Sequence, residues 1–148
     1  MNFIVVDDDN YKRERICDYI KSVVGEDANI TEYTCGREIL LHFHNLRRND
    51  DKDIICKNTM LFLDWNFPFY ANERIERGEG EFVLSEIDRL GFNIPTVIVS
   101  SDKVEIDEYD FVIGSIEDNS SVYQKPNYEK LIPEDLHRKE PINNSLER

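Results

Sequence analysis

A chain of 148 residues with 40% hydrophobic and 33% charged side chains is long enough for one domain with a sizeable core, and too apolar to be disordered. Its 31 Asp and Glu outweigh 18 Lys and Arg. The resulting net charge of −13 argues against direct contact with nucleic acid or an anionic membrane, both polyanions. Such acidity suits a solvated exterior, a chain that gathers cations, or one that meets a basic partner surface. Cys17, Cys35 and Cys56 lack the paired spacing of a zinc site and read as free thiols of a reducing compartment. The N-terminus enters a strand without a secretory leader, and no apolar run approaches the roughly 18 residues of a transmembrane helix. A cytoplasmic protein is expected.

In chain order, Phe3 to Val6 is an apolar run that breaks at Asp7-Asp8-Asp9, as a buried first strand with acids at its tip would. Asn10 can cap a helix to about Val24, with Ile16, Ile20 and Val23 inward and Gly25 as its stop. Ile30 to Tyr33 is a short, more polar strand, placed at the sheet edge. Gly36 to Leu46 has helical spacing, and the polar run from Arg47 to Lys52 reads as a loop. Ile54-Ile55-Cys56 fits helix or strand equally. Met60 to Leu63 is a third strand that runs into Asp64, and Phe69 to Glu79 is an aperiodic surface loop. Glu81 to Leu90 is helical, with Gly91 after it. Thr96 to Val99 is a fourth strand ending in Ser100. Val104 to Ile113 fits neither period, and Ser121 to Gln124, before Lys125-Pro126, reads as a fifth strand. Alternating strands and helices indicate an α/β fold, a doubly wound parallel sheet with helices on both faces. One domain over residues 1–138 is expected, with inserted loops near 47–58 and 69–79 and a tail at 139–148.

In such a sheet ligands bind at the C-terminal ends of the strands. The residues delivered there are Asp7, Asp8, Asp64, Ser100 and Lys125. Carboxylates sharing a pocket repel unless a cation binds between them, and Mg2+ is a hard ion suited to carboxylates, waters and phosphate. Asp64 beside that ion can attack phosphorus to form an acyl phosphate. Ser100 and Lys125 would help neutralise the transferring oxygens.

On these residues the chain resembles the receiver domain of two-component response regulators, over about residues 2 to 136. Val5-Val6-Asp7-Asp8-Asp9 resembles the family's first acidic motif, and Asp64-Trp65-Asn66-Phe67-Pro68 its phosphoacceptor segment. Pro95 to Ser100 is similar to the strand ending in the switch hydroxyl, and Lys125-Pro126 to the lysine with its proline. The resemblance implies a flavodoxin-like five-stranded sheet in order 2-1-3-4-5. It implies Asp64 as phosphoacceptor, and Mg2+ held by Asp7, Asp8, Asp64 and the Asn66 backbone carbonyl. Ser100 and Lys125 would contact the phosphoryl group. Asn66 and Asp102 fall where the family tunes acyl phosphate lifetime. Val122 stands where the family places its aromatic switch, with Tyr123 next.

The implied role is a phosphoacceptor in a two-component or phosphorelay system, catalysing only its own phosphotransfer and dephosphorylation. The donor would be a histidine kinase or histidine phosphotransfer domain. Output would pass to a downstream protein effector, possible homodimers included, without direct nucleic acid or membrane contact. Two alternatives stay open: a phosphatase resembling the haloacid dehalogenase family that uses Asp7 and Asp9, and a pseudo-receiver that binds without phosphotransfer.

Overall fold

The computed structural model describes residues 1–46, 51–104, 106–118, 132 and 136. Three apolar runs fold as strands buried along almost their whole length: β1 (Asn2–Val6), β3 (Thr59–Leu63) and β4 (Thr96–Ser100). Runs of this kind suit only the middle of a parallel sheet, where both faces are covered. β2 (Asn29–Tyr33) carries polar side chains and lies at one edge. β5 (Val112–Glu117), whose residues alternate between half-buried and exposed, lies at the other. All neighbours pair in parallel, in the order β2-β1-β3-β4-β5. This is the five-stranded order expected from the sequence.

Helices cover both faces. α1 (Asn10–Val24) packs Ile16, Cys17 and Ile20 on Phe3, Val5, Phe62, Val97 and Val99. α2 (Gly36–Leu46) and α4 (Glu79–Arg89) bury Ile39, Phe43, Val83 and Ile87 against Ile4, Leu61, Leu63 and Ile98 on the opposite face. The odd and even positions of each strand thus feed two separate cores, as the pleat dictates. Gly25 closes α1 at φ 133°, a backbone geometry that favours glycine. Among the described residues no helix is long and apolar enough to cross a membrane. All three cysteines are free.

Four local readings need correction. Asp9, not Asn10, caps α1: its carboxylate accepts from the Tyr11 and Lys12 backbone N–H groups. Part of the expected loop near 47–58 is helical, as α3 (Lys52–Lys57), which settles the ambiguous Ile54-Ile55-Cys56 as helix. α4 begins at Glu79, so the Phe69 to Glu79 loop ends one residue sooner than read. The fifth strand is Val112–Glu117, and its ladder with β4 continues through the Asp118 N–H to the Ser100 carbonyl at 2.7 Å. Ser121 to Gln124, Val122 and Tyr123 among them, and Lys125 lie outside the described residues, as does the whole tail at 139–148. Between β4 and β5 the described residues form turns and bends with no helix, and Phe111 and Val104 cover that part of the core.

α2 and α4 meet at their N-termini, where Glu79 lies against Gly36. Only 8% of Glu79 is exposed, and its Oε2 lacks a hydrogen-bond partner among the described residues. Burial, and then the charge of Glu76, push its carboxyl above the ordinary 4.5. A carboxyl raised on folding stabilises fully below its unfolded pKa, and that contribution is lost as pH rises through the folded value. Glu79→Gln is therefore expected to unfold at higher urea than wild type near pH 8, with the gain shrinking as pH approaches about 5. A gain independent of pH would contradict this account of Glu79.

Candidate functional site

The register of the sheet builds the site. Val6 pairs with Leu63, so Asp7 and Asp64 leave their strands side by side, and Leu63 pairs with Ile98, which brings Ser100 to the same edge. Asp7 is fully buried, Asp64 is 4% exposed and Ser100 is 1% exposed, whereas Asp8 is half-buried. Asp7, Asp8 and Asp64 each offer a carboxylate oxygen, and these oxygens lie within 4.8 Å of one another. The sequence-expected acids and the serine are therefore gathered at the strand ends. Lys125 lies outside the described residues, beyond the end of β5.

Backbone donors hold the acids in place. Asp7 Oδ1 accepts from the Asp9 N–H at 2.9 Å, and Asp64 Oδ1 accepts from the Trp65 N–H at 2.8 Å. Ser100 Oγ accepts from the Asp102 N–H at 3.2 Å. Asn66 ties two loops together, its Oδ1 accepting from the Gly78 N–H at 2.9 Å and its Nδ2 donating to Asp102 Oδ2 at 3.3 Å. The loop after β3 doubles back through a bridge between Phe67 and Glu76. Its Pro68 and Phe69 carbonyls accept from the Gly36 and Arg37 N–H groups, which satisfies donors at the start of α2.

Lys12 is the side chain of this cluster that the sequence did not announce. It lies in the first turn of α1, 5% exposed, with Nζ 3.0 Å from Asp64 Oδ1 and 3.1 Å from Asp7 Oδ2. The ammonium is aligned as a donor to Asp64. Toward Asp7 it makes a charge contact only, and Oδ2 has no directed hydrogen bond among the described residues. The available signal was its register: Lys12 stands four and eight residues before Ile16 and Ile20, on the stripe that faces the sheet.

One ammonium does not balance this many carboxyls. Burial first, then the Asp64 charge, push the Asp7 carboxyl up to about 8 against the pull of Lys12. Burial also raises Asp64, opposed by Lys12 and the Trp65 N–H, and it raises Asp8. Burial works against the charge on Lys12, but Asp7 and Asp64 outweigh it and hold the ammonium above its usual range. Among the described residues, the carboxyls of this pocket outnumber the one buried ammonium. A cluster of hard oxygen donors, with one buried oxygen lacking a directed partner among the described residues, fits a hard divalent cation.

Gly80 backs the site from α4. A Cβ there would fall 2.6 Å from the Asp64 carbonyl oxygen and 2.9 Å from Trp65 Cε3, and the first of these is backbone that cannot swing aside. Gly80→Ala is expected to cost about 1–3 kcal/mol of stability through overpacking, measured by urea unfolding. A neutral result would show that the segment around Asp64 yields easily.

No family model matches the chain, and no curated protein matches it in sequence. Among solved structures it is similar to the receiver domain of the histidine kinase CKI1 from Arabidopsis thaliana, with a TM-score of 0.50 and 18% identity. The match covers 77% of this chain and 78% of that one. The likeness is one of fold: the chain has the flavodoxin-like, receiver-type arrangement of a parallel sheet between helices.

Proposed function

We propose that the protein is a phosphoacceptor receiver in a two-component or phosphorelay pathway, phosphorylated on Asp64 in a Mg2+-dependent reaction. The observation that carries this reading is the convergence of Asp7, Asp8 and Asp64 at the C-terminal sheet edge, with Ser100 ending the adjoining strand. Asp7, Asp8, Asp64 and the Asn66 backbone carbonyl would hold the metal, which supplies neutralising charge to phosphoryl oxygens when bound. Asp64 Oδ1 already accepts from Lys12 and Trp65, so Oδ2 is the atom assigned to attack. A new O–P bond forms as the P–N bond of a phosphohistidine breaks, and the leaving imidazole keeps its electron pair and takes a proton. The Ser100 hydroxyl and the Lys125 ammonium would then contact the phosphoryl oxygens.

The donor is a histidine kinase or histidine phosphotransfer domain. The signal passes to a protein effector through surface contacts that the new charge alters. Use of Asp9 as the α1 cap favours this reading over a phosphatase that needs Asp9 as general acid. The pseudo-receiver reading draws support from one observation, the ammonium of Lys12 standing among the acids.

Incubation with acetyl phosphate and Mg2+, read beside turnover of a phosphate ester, separates the three. A receiver yields an acid-stable, hydroxylamine-labile adduct, and a pseudo-receiver yields none. Turnover of a generic phosphate ester that is lost in Asp7→Asn but kept in Asp64→Asn would instead establish the phosphatase.

A further inference from the structure

The metal reading leaves one group unexplained: a second cation already lies among its ligands. We propose that Lys12 is a resident counter-ion of the divalent-cation site, and that a metal ion enters by displacing its ammonium. The inference rests on the reading of Asp7, Asp8 and Asp64 as a metal site.

The geometry sets the two cations in competition. Lys12 Nζ lies 3.0 Å from Asp64 Oδ1 and 3.1 Å from Asp7 Oδ2, so it occupies the space between two of the carboxylates. Mg2+ draws its oxygens to about 2.0–2.1 Å, so an ion held by these carboxylates would compete with the ammonium for the same two atoms. Like charges held a few ångströms apart in a buried pocket also repel strongly. The side chain has a way out: it sits in the first turn of α1, beside exposed Asn10 and Tyr11, and its long stem can redirect the ammonium to solvent. The cap from Asp9 holds the helix start while it does so. With the metal absent, Lys12 keeps the buried acids paired. With the metal present, the energy of that pair is subtracted from metal binding.

The test is Mg2+ titration of wild type and Lys12→Met, followed by calorimetry and by the fluorescence of Trp65, which adjoins Asp64. Lys12→Met is expected to bind Mg2+ ~10-fold or more tightly, because a competitor for the ligands has been removed. Equal or weaker binding in the variant overturns the inference and leaves the metal site standing. Absence of binding in both chains overturns the metal site and the inference with it. Should Lys12→Met not fold, NMR of the wild-type Lys12 ammonium decides. Loss of its buried, slowly exchanging signal at metal saturation supports displacement, and an unchanged signal overturns it.

Discussion

Lys12→Met is expected to destabilise the metal-free protein by about 3–5 kcal/mol, the cost of removing one partner from a buried ion pair. Asp7 is fully buried and Asp64 is 4% exposed, so neither can recover in water what it loses with the ammonium. Burial already raises both carboxyls while Lys12 is present. Without Lys12 they must hold a proton, bind a metal or separate. Two consequences distinguish this from a simple packing loss. Asp7→Asn in the same chain leaves one buried carboxyl fewer that must hold a proton or find a cation, so above pH 8 the double variant should be less destabilised than Lys12→Met alone. Mg2+ should recover more stability in Lys12→Met than in wild type, since nothing competes with it there. Urea unfolding with chelator and with Mg2+ measures both. A loss that neither the second substitution nor the metal relieves would mean that Lys12 acts through its stem and not its charge.

Asp64→Asn is expected to abolish phosphorylation while keeping the fold. The substitution is nearly isosteric, and an amide oxygen can still accept from the Trp65 N–H and from Lys12. What it loses is the anionic oxygen that attacks phosphorus, for which a neutral amide is no substitute. The same change removes one negative charge from the pocket and weakens Mg2+ binding. Phosphate incorporation from acetyl phosphate, with circular dichroism as the control for folding, reads the result. Adduct at wild-type level in this variant would move the phosphoacceptor to another residue.

The strands that place the site were legible because they are uniformly apolar. Phe3 to Val6, Met60 to Leu63 and Thr96 to Val99 each lead into the polar residue that the proposed chemistry would use, so strand and candidate site residue appeared together. β5 was not legible, because an edge strand is half solvated and Gly114 and Ser115 interrupt its apolar alternation. A short later run next to Lys125-Pro126 therefore looked the better strand. The cap of α1 was ambiguous among adjacent residues that all cap well, Asp9 and Asn10. α4 begins earlier than read because its first turn is Glu79-Gly80, and glycine there signals a loop although it is required beside Asp64. Lys12 was hidden for a different reason. A lysine on a helix is ordinarily solvated, and its burial is made favourable by Asp7 together with Asp64, which is distant in the chain.

Acceptance of the phosphoryl group by Asp64 is decided by phosphorylating the protein with acetyl phosphate and Mg2+, trapping the adduct by borohydride reduction, and mapping the altered residue by mass spectrometry. Reduction at Asp64 alone is the predicted result; an altered residue at Asp7 or Asp8, or an unmodified chain, would contradict it.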